Sequence, residues 1–381
     1  MPGHATYDAS VAAREVADEL SAHSAAGERD GKLADASVAA LRRAGLLRLW
    51  RPRSLGGHEL CPLDYALVAE EVARADSAAA WLMMVSANTT FDLRLADPRL
   101  VDEVFADPDV IICETFNRPL GGNAVDGGYR VTGSTPFASG CRHAHWIGHT
   151  AVIDDAFLLM FHPADALTIE DDWHTLGMRG TASNTITAED VFVPAHRVID
   201  FGASPSTNRY FDGPLYRMPE GILTTTFSPV SLGLVAAALD AASKLAQTRQ
   251  PFASATTLKH RPLAQRNFGR ALALYRGARA LLHQTLADAY RQAQEGTPFS
   301  LSDKADLFLA CAHALQSCAE AARLVARAVG TSAIYEGNPV ERALRDTEVI
   351  AHHAFGAEGR FATVAQVYWG ADVDFPLLAM D

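Results

Sequence analysis

The chain has 381 residues, 49% hydrophobic and 20% charged, enough to bury a sizeable core in two or three structural units. A formal charge of −12 argues against nucleic acid as the main partner, and five scattered cysteines without a C-x-x-C spacing argue against a disulfide framework or zinc site. No uninterrupted apolar run reaches the roughly 18 residues of a membrane span, and no basic-then-apolar leader opens the N-terminus, so a cytoplasmic protein with no membrane partner is expected.

From residue 8 to about 105 the text reads as helix, in Ala-rich amphipathic stretches interrupted at Gly45 and Gly56-Gly57. The period then changes. Short β-rich runs (DVIICETF, GGYRVTG, HWIGHTAVI, AFLLMF, TITAEDVFVP) extend to about Val198, punctuated by Asp126-Gly127-Gly128 and Pro163. A polar connector from Phe201 to Gly221 follows, and helical periodicity returns from Ser228 to about Tyr368 in four long segments. The blocks divide the chain into an N-terminal helical domain (1–107), a central β-barrel (108–215) and a C-terminal four-helix bundle (216–381).

The runs GGYRVTGSTPFASGC and WHTLGMRGTASNTITAEDVFVP resemble the middle domain of the acyl-CoA dehydrogenase superfamily, and GTSAIYEGNPVERALRD resembles its last turn and helix. The resemblance covers nearly the whole chain. It implies a flavin in a cleft between barrel and bundle, in a homotetramer. Two chemistries share that architecture. The dehydrogenases place a glutamate base seven to nine residues after an Arg-Asp pair; here the pair is Arg345-Asp346 and the slot holds Ala354, which cannot take a proton. Glu336 sits in a Tyr-Glu-Gly run that looks like the glutamate motif but precedes the pair, and reads as a turn before Pro339. The other branch, the two-component (group D) flavin-dependent monooxygenases, carries a histidine about seven residues after the pair. His353 stands there with His352 beside it, and Phe137-Ala138-Ser139-Gly140-Cys141 matches that branch's Phe-x-Ser-Gly-Cys element.

The resemblance therefore implies a monooxygenase that uses reduced FAD or FMN and O2, through a C4a-hydroperoxyflavin, to hydroxylate or N-oxygenate a small organic molecule. No strand-GxGxxG-helix unit for a nicotinamide cofactor is visible, so a separate NAD(P)H:flavin reductase is the expected partner. Ser139 would hydrogen-bond the flavin or peroxide, and His353, with a reference pKa of about 6.5, would move a proton across the cleft. Phe137, Arg179 and Ser183 would line the cofactor cleft, while Gly330, Thr331, Ser332, Arg261 and Gln265, with Lys259 nearby, would meet phosphates, in part on a neighbouring subunit. His352, Asn88 and Thr89 would face substrate; the last two stand where several aromatic hydroxylases carry a histidine, about eight residues after Trp81, which leaves phenols in doubt. His143 and His145 alternate as on one strand face, with His149 following, but no carboxylate or cysteine completes a metal set, and no metal is expected. The alternatives are an acyl-CoA dehydrogenase or oxidase, and a flavin-free homologue serving as a binding subunit.

Overall fold

The computed structural model describes residues 7–202 and 208–379; residues 203–207 of the expected connector lie outside the described residues. Asp8 caps the first helix, its carboxylate accepting from the amides of Ser10 and Val11. That helix, α1 (Ala9–Asp30), ends on Gly31 at φ 65°, a conformation that needs no Cβ. Then come α2 (Asp35–Arg43), α3 (Pro62–Ala75), α4 (Ser77–Asp92) and α5 (Pro98–Val104). All 16 residues of α4 are buried, so it shows no polar face; it is the central rod of the N-terminal block.

Seven strands follow: β1 (Ile112–Val125), β2 (Gly128–Ala138), β3 (Trp146–Ile153), β4 (Ala156–Pro163), β5 (Thr168–Ile169), β6 (Asn184–Pro194) and β7 (Val198–Asp200). They form one sheet in the order β5-β6-β2-β1-β3-β4-β7. The central unit, expected as a β-barrel, is thus a seven-stranded sheet whose hydrogen-bonded order ends in two short strands. Two-residue turns set the register of both hairpins. Val125 pairs with Gly128 around Asp126-Gly127, and Ile153 pairs with Ala156 around Asp154 and Asp155, both at positive φ as such turns demand. Within the second hairpin His149 and His162 are buried and stacked, with their Nε2 atoms 2.7 Å apart.

The C-terminal block holds α6 (Ile222–Thr225), α7 (Ser228–Thr248), α8 (Pro262–Glu295), α9 (Leu301–Val329), α10 (Pro339–Ala351) and α11 (Gly359–Trp369). Residues 222–248 are long and apolar enough to pass for a membrane span by length and composition, but 89% of that stretch is buried inside the protein. At Gly233 a Cβ would stand 2.3 Å from the Glu70 carbonyl, so glycine is what lets α7 cross α3 closely. Glu70, buried on α3, also takes Arg279 at 2.7 Å and His283 at 2.6 Å from α8. The last segment read as one helix is two. The chain breaks over residues 352–358, and Gln316 of α9 holds the break by donating to the carbonyls of Ala351 and Gly356, each at 2.9 Å. Gly356 is required there, because a Cβ would meet the Leu315 side chain at 2.2 Å.

Candidate active site

Ser139 leaves β2 just after Phe137, which is held at φ 65°. Opposite it, Met178 at φ 54° and Ala182 at φ 47° bracket the turn Arg179–Thr181. Left-handed backbone costs a non-glycine residue roughly 1–2 kcal/mol, so three such residues around one serine mark a place where packing enforces geometry. What they enforce is a ladder of hydrogen bonds. The Trp81 indole N–H donates to Ser139 Oγ at 3.0 Å, Ser139 meets Ser183 Oγ at 2.7 Å, Ser183 meets Thr181 Oγ1 at 2.7 Å, and Thr181 donates to the Met178 carbonyl at 2.9 Å. The indole and the carbonyl fix the two ends, so each hydroxyl donates towards Met178.

Asp346 anchors this segment. Buried on α10, its carboxylate accepts from the Met178 amide and from the Ser77 hydroxyl at the start of α4, each at 2.7 Å. One side chain thereby joins all three blocks. Arg345 beside it pairs with Glu28 of α1 at 3.0 Å and with Glu341. The close approach leaves no room on the loop: a Cβ at Gly177 would stand 2.5 Å from the Arg345 carbonyl.

His353 lies in the break after α10, not on a helix. Its ring is 4.2 Å from that of Phe227, 5.1 Å from Phe355 and 6.2 Å, edge-on, from Trp81. The Trp81 indole therefore touches Ser139 with its N–H and His353 with its ring, standing between the two residues expected to face each other directly. Nδ1 of His353 accepts the Phe355 amide at 3.3 Å, which places the proton of the neutral ring on Nε2, a donor with no partner among the described residues. Burial pushes the His353 pKa down to about 4, so it is neutral at working pH, where the sequence pointed to a proton shuttle near 6.5.

The other expected site residues separate into groups. Arg179 is exposed and donates to the Thr175 carbonyl at 2.8 Å. Arg261, Gln265 and Lys259 lie at the α7–α8 corner, bonding Ser254, the Lys259 carbonyl and Gln247 respectively. A cavity of about 250 Å³ lined by Lys259, Gln265 and Val329 brings that corner to the end of α9, where Gly330 takes φ 61° and Arg249 reaches Thr331 at 3.4 Å. Ser332 is nearly covered, its carbonyl accepting from Asn338 at 2.7 Å. Both elements expected to meet phosphates thus share one end of the bundle. Asn88 is consumed internally: it donates to the Leu223 carbonyl at 3.4 Å and accepts from Thr226 at 3.0 Å. Thr89, fully buried, donates to the Val85 carbonyl at 2.9 Å. His352 is exposed. Glu336 lies in an exposed turn before α10, with Gly337 at φ 81°. His143 and His145 are not on a strand; they fall in the turns before β3, and no metal-binding group of three or more ligands occurs among the described residues.

A buried acidic group escaped sequence reading. Asp92 ends α4, Glu114 points inward from the apolar run of β1, and Glu220 precedes α6, where Arg94 meets it at 2.7 Å. Asp92 and Glu114 interact directly, and oxygens on both find no other donor. Two carboxyls share a hydrogen bond only if one keeps a proton. Burial, reinforced by the neighbouring carboxylates, holds both well above the usual carboxylate range. The folded protein then retains a proton that the unfolded chain releases above about pH 4.3, so stability is lost as pH rises towards the folded value. Glu114→Gln is expected to raise the melting temperature considerably more at pH 8.5 than at pH 5.5. An equal shift at both values in thermal denaturation would remove the shared proton.

With this geometry in view, comparison with known proteins is decisive. Residues 9–95 match the acyl-CoA dehydrogenase N-terminal domain and residues 225–358 its C-terminal domain. The flavin-dependent monooxygenase oxygenase subunit HsaA of Rhodococcus jostii is 31% identical over 342 residues, 85% of this chain and 88% of that protein. The chain belongs to the acyl-CoA dehydrogenase superfamily. Within it, the chain falls among the flavin-dependent monooxygenases. Indole-3-acetate monooxygenase of Acinetobacter baumannii is 26% identical over 375 residues, 96% of this chain and 95% of that one. XiaF from a Streptomyces species, solved with FADH2 and glycerol, superposes with a TM-score of 0.91 at 26% identity, covering 97% of this chain and 96% of its own.

Proposed function

We propose that this flavin-dependent monooxygenase is the oxygenase component of a two-component system, cytoplasmic and homotetrameric, supplied with reduced FAD or FMN by a separate NAD(P)H:flavin reductase. The observation that carries the reading is the convergence of the Ser139 ladder, the Trp81 indole and the His353 ring in one aromatic cluster. The chain fits a flavin. Phe137 is 53% exposed and rests edge-on against Trp173 at 5.9 Å, an apolar platform beside the ladder. Ser139 keeps one lone pair and Nε2 of His353 one hydrogen for a bound group. Phe137, Ser139, Ser183 and Arg179 would hold the ring end, and the Arg261, Gln265 and Gly330–Ser332 corner the phosphate end, in part on a neighbouring subunit.

Reduced flavin, when bound, supplies two electrons to O2, so that one oxygen atom enters product and the other leaves as water. The residues of the chain do the rest. Trp81, Phe227 and Phe355 exclude water, while His353 presents a fixed hydrogen-bond donor without gaining or losing a proton. Asn88 and Thr89 have spent their hydrogen bonds, so they shape the wall and offer little to a polar substrate. Those three aromatic rings favour a planar, ring-containing substrate. The dehydrogenase reading has no base to work with: Ala354 fills the glutamate slot and Glu336 is in an exposed turn.

The test is to titrate the protein anaerobically with reduced flavin and mix with oxygen in stopped flow. A transient distinct from both reduced and oxidised flavin is expected; direct return to oxidised flavin, with ring-containing candidates present, would discard the reading. Trp81→Phe, which removes the donor to Ser139 and trims the ring packed on Phe227 and His353, is expected to weaken reduced-flavin binding at least fivefold, the worth of about 1 kcal/mol for the hydrogen bond alone. Fluorescence titration under anaerobic conditions reads that change.

A further inference from the structure

A second cavity, of about 580 Å³, lies between α2 and the turns that precede β3. Arg42, Arg43, Arg142, His143 and His145 line it together with Asp35 and Asp109. None of them belongs to the ladder or the aromatic cleft. Three of these five charges are already matched: Arg43 pairs with Glu19 and Arg142 with Asp171, each at 2.6 Å, and Asp35 takes Lys32 at 3.3 Å. Arg42 has no carboxylate partner among the described residues. Its Nε is buried without a hydrogen-bond partner, and its Nη2 lies 3.3 Å from Nε2 of His145.

That last contact cannot be an ordinary hydrogen bond. Nδ1 of His145 accepts the Ile111 amide at 2.9 Å, so the proton of the imidazole sits on Nε2. A protonated ring would set a second N–H against the Ile111 amide, and the other neutral tautomer would do the same. Two donors, the guanidinium and the Nε2–H, therefore face each other with no acceptor between them. His143 also lines the cavity, its Nε2 buried without a partner. An oxyanion meets the requirement of the two donors, Arg42 and His145, since its several oxygens can take the planar fork and an imidazole N–H together.

We propose that this cavity is a binding site for a phosphate-type oxyanion, either free or carried on a small ester, held between Arg42 and His145. The volume exceeds what a single ion fills, so room remains for the organic part of an ester. The site is independent of the flavin cleft, and it stands or falls separately from the oxygenase reading.

Isothermal titration of the full chain with sodium sulfate, at pH 7 in chloride buffer, tests it. Saturable one-site binding and a rise in melting temperature are expected. Arg42→Gln should weaken sulfate at least tenfold, while Arg42→Lys keeps most of the affinity through its charge. A change at the exposed, cavity-lining Ala39 guards against a folding defect. Ala39→Glu sets a carboxylate in the cavity and should raise the melting temperature without sulfate and abolish the sulfate response. Parallel titrations with inorganic phosphate and AMP separate the sources: AMP binding more tightly than phosphate assigns an ester, and no gain assigns the free ion. Absence of saturable binding, or equal affinity in wild type and Arg42→Gln, would overturn the proposal.

Discussion

His353→Phe is expected to cut product formed per reduced flavin consumed by roughly a hundredfold, with hydrogen peroxide released instead. Phenylalanine keeps the packing against Phe227, Phe355 and Trp81. What it removes is the Nε2 donor and the acceptor for the Phe355 amide. A donor set among aromatic rings is worth more than one in water, which is why the expected loss exceeds that of an average hydrogen bond. Because burial pushes the His353 pKa down to about 4, wild-type coupling should stay flat from pH 6 to 8 and show no inflection near 6.5. Coupling measured as the product-to-peroxide ratio decides the matter. An unchanged ratio in His353→Phe sinks the role given to that ring, and an inflection near 6.5 sinks the neutral-donor account.

The second large effect is structural. Asp346→Ala should cost roughly 3 kcal/mol of stability, since it strips a buried carboxylate from two short hydrogen bonds, to the Met178 amide and the Ser77 hydroxyl. Asp346→Asn should cost only about 1 kcal/mol, because its carbonyl can still accept from Met178 and the Ser77 hydroxyl can turn to accept the new amide. Urea denaturation of the two variants separates them. If alanine is as well tolerated as asparagine, the carboxylate is not what joins the blocks. The alanine variant should also bind flavin poorly, because Met178 carries the far end of the serine ladder.

Much of this architecture was legible in the sequence because the signals are local. The change from helical to alternating period falls near Val110, and β1 begins at Ile112. The Arg345-Asp346 pair and the Phe137–Cys141 element lead to the residues that meet in the cleft. The missed features are products of distance along the chain. Trp81 reaches Ser139 across 58 residues, and Asp346 reaches Ser77 across 269. No periodicity announces such contacts. The break that carries His353 had a visible cue in Gly356, but only the Leu315 side chain from α9 explains why glycine must stand there. Glu114 also had a cue, a carboxylate inside the apolar run of β1, whose partner Asp92 closes a helix buried on every side. His149 stands on a strand, as the β-rich run HWIGHTAVI suggests, but its stacking on His162 of the next strand had no cue in the sequence.

The serine ladder has a consequence for oxidation state. Its hydrogens all run from Trp81 towards Met178, so Ser139 offers an approaching molecule a lone pair and withholds its proton. The inner ring nitrogen of a reduced flavin carries a hydrogen and can use that lone pair, whereas the same nitrogen in the oxidised form carries a lone pair of its own and is repelled. Turning the ladder round to suit the oxidised form would cost the Thr181–Met178 hydrogen bond, leaving that carbonyl to the Trp173 indole and the Thr181 amide. In the proposed reading, a row of hydroxyls with fixed ends would act as a discriminator, retaining the electron-rich cofactor delivered to it and loosening its hold once those electrons had gone to oxygen.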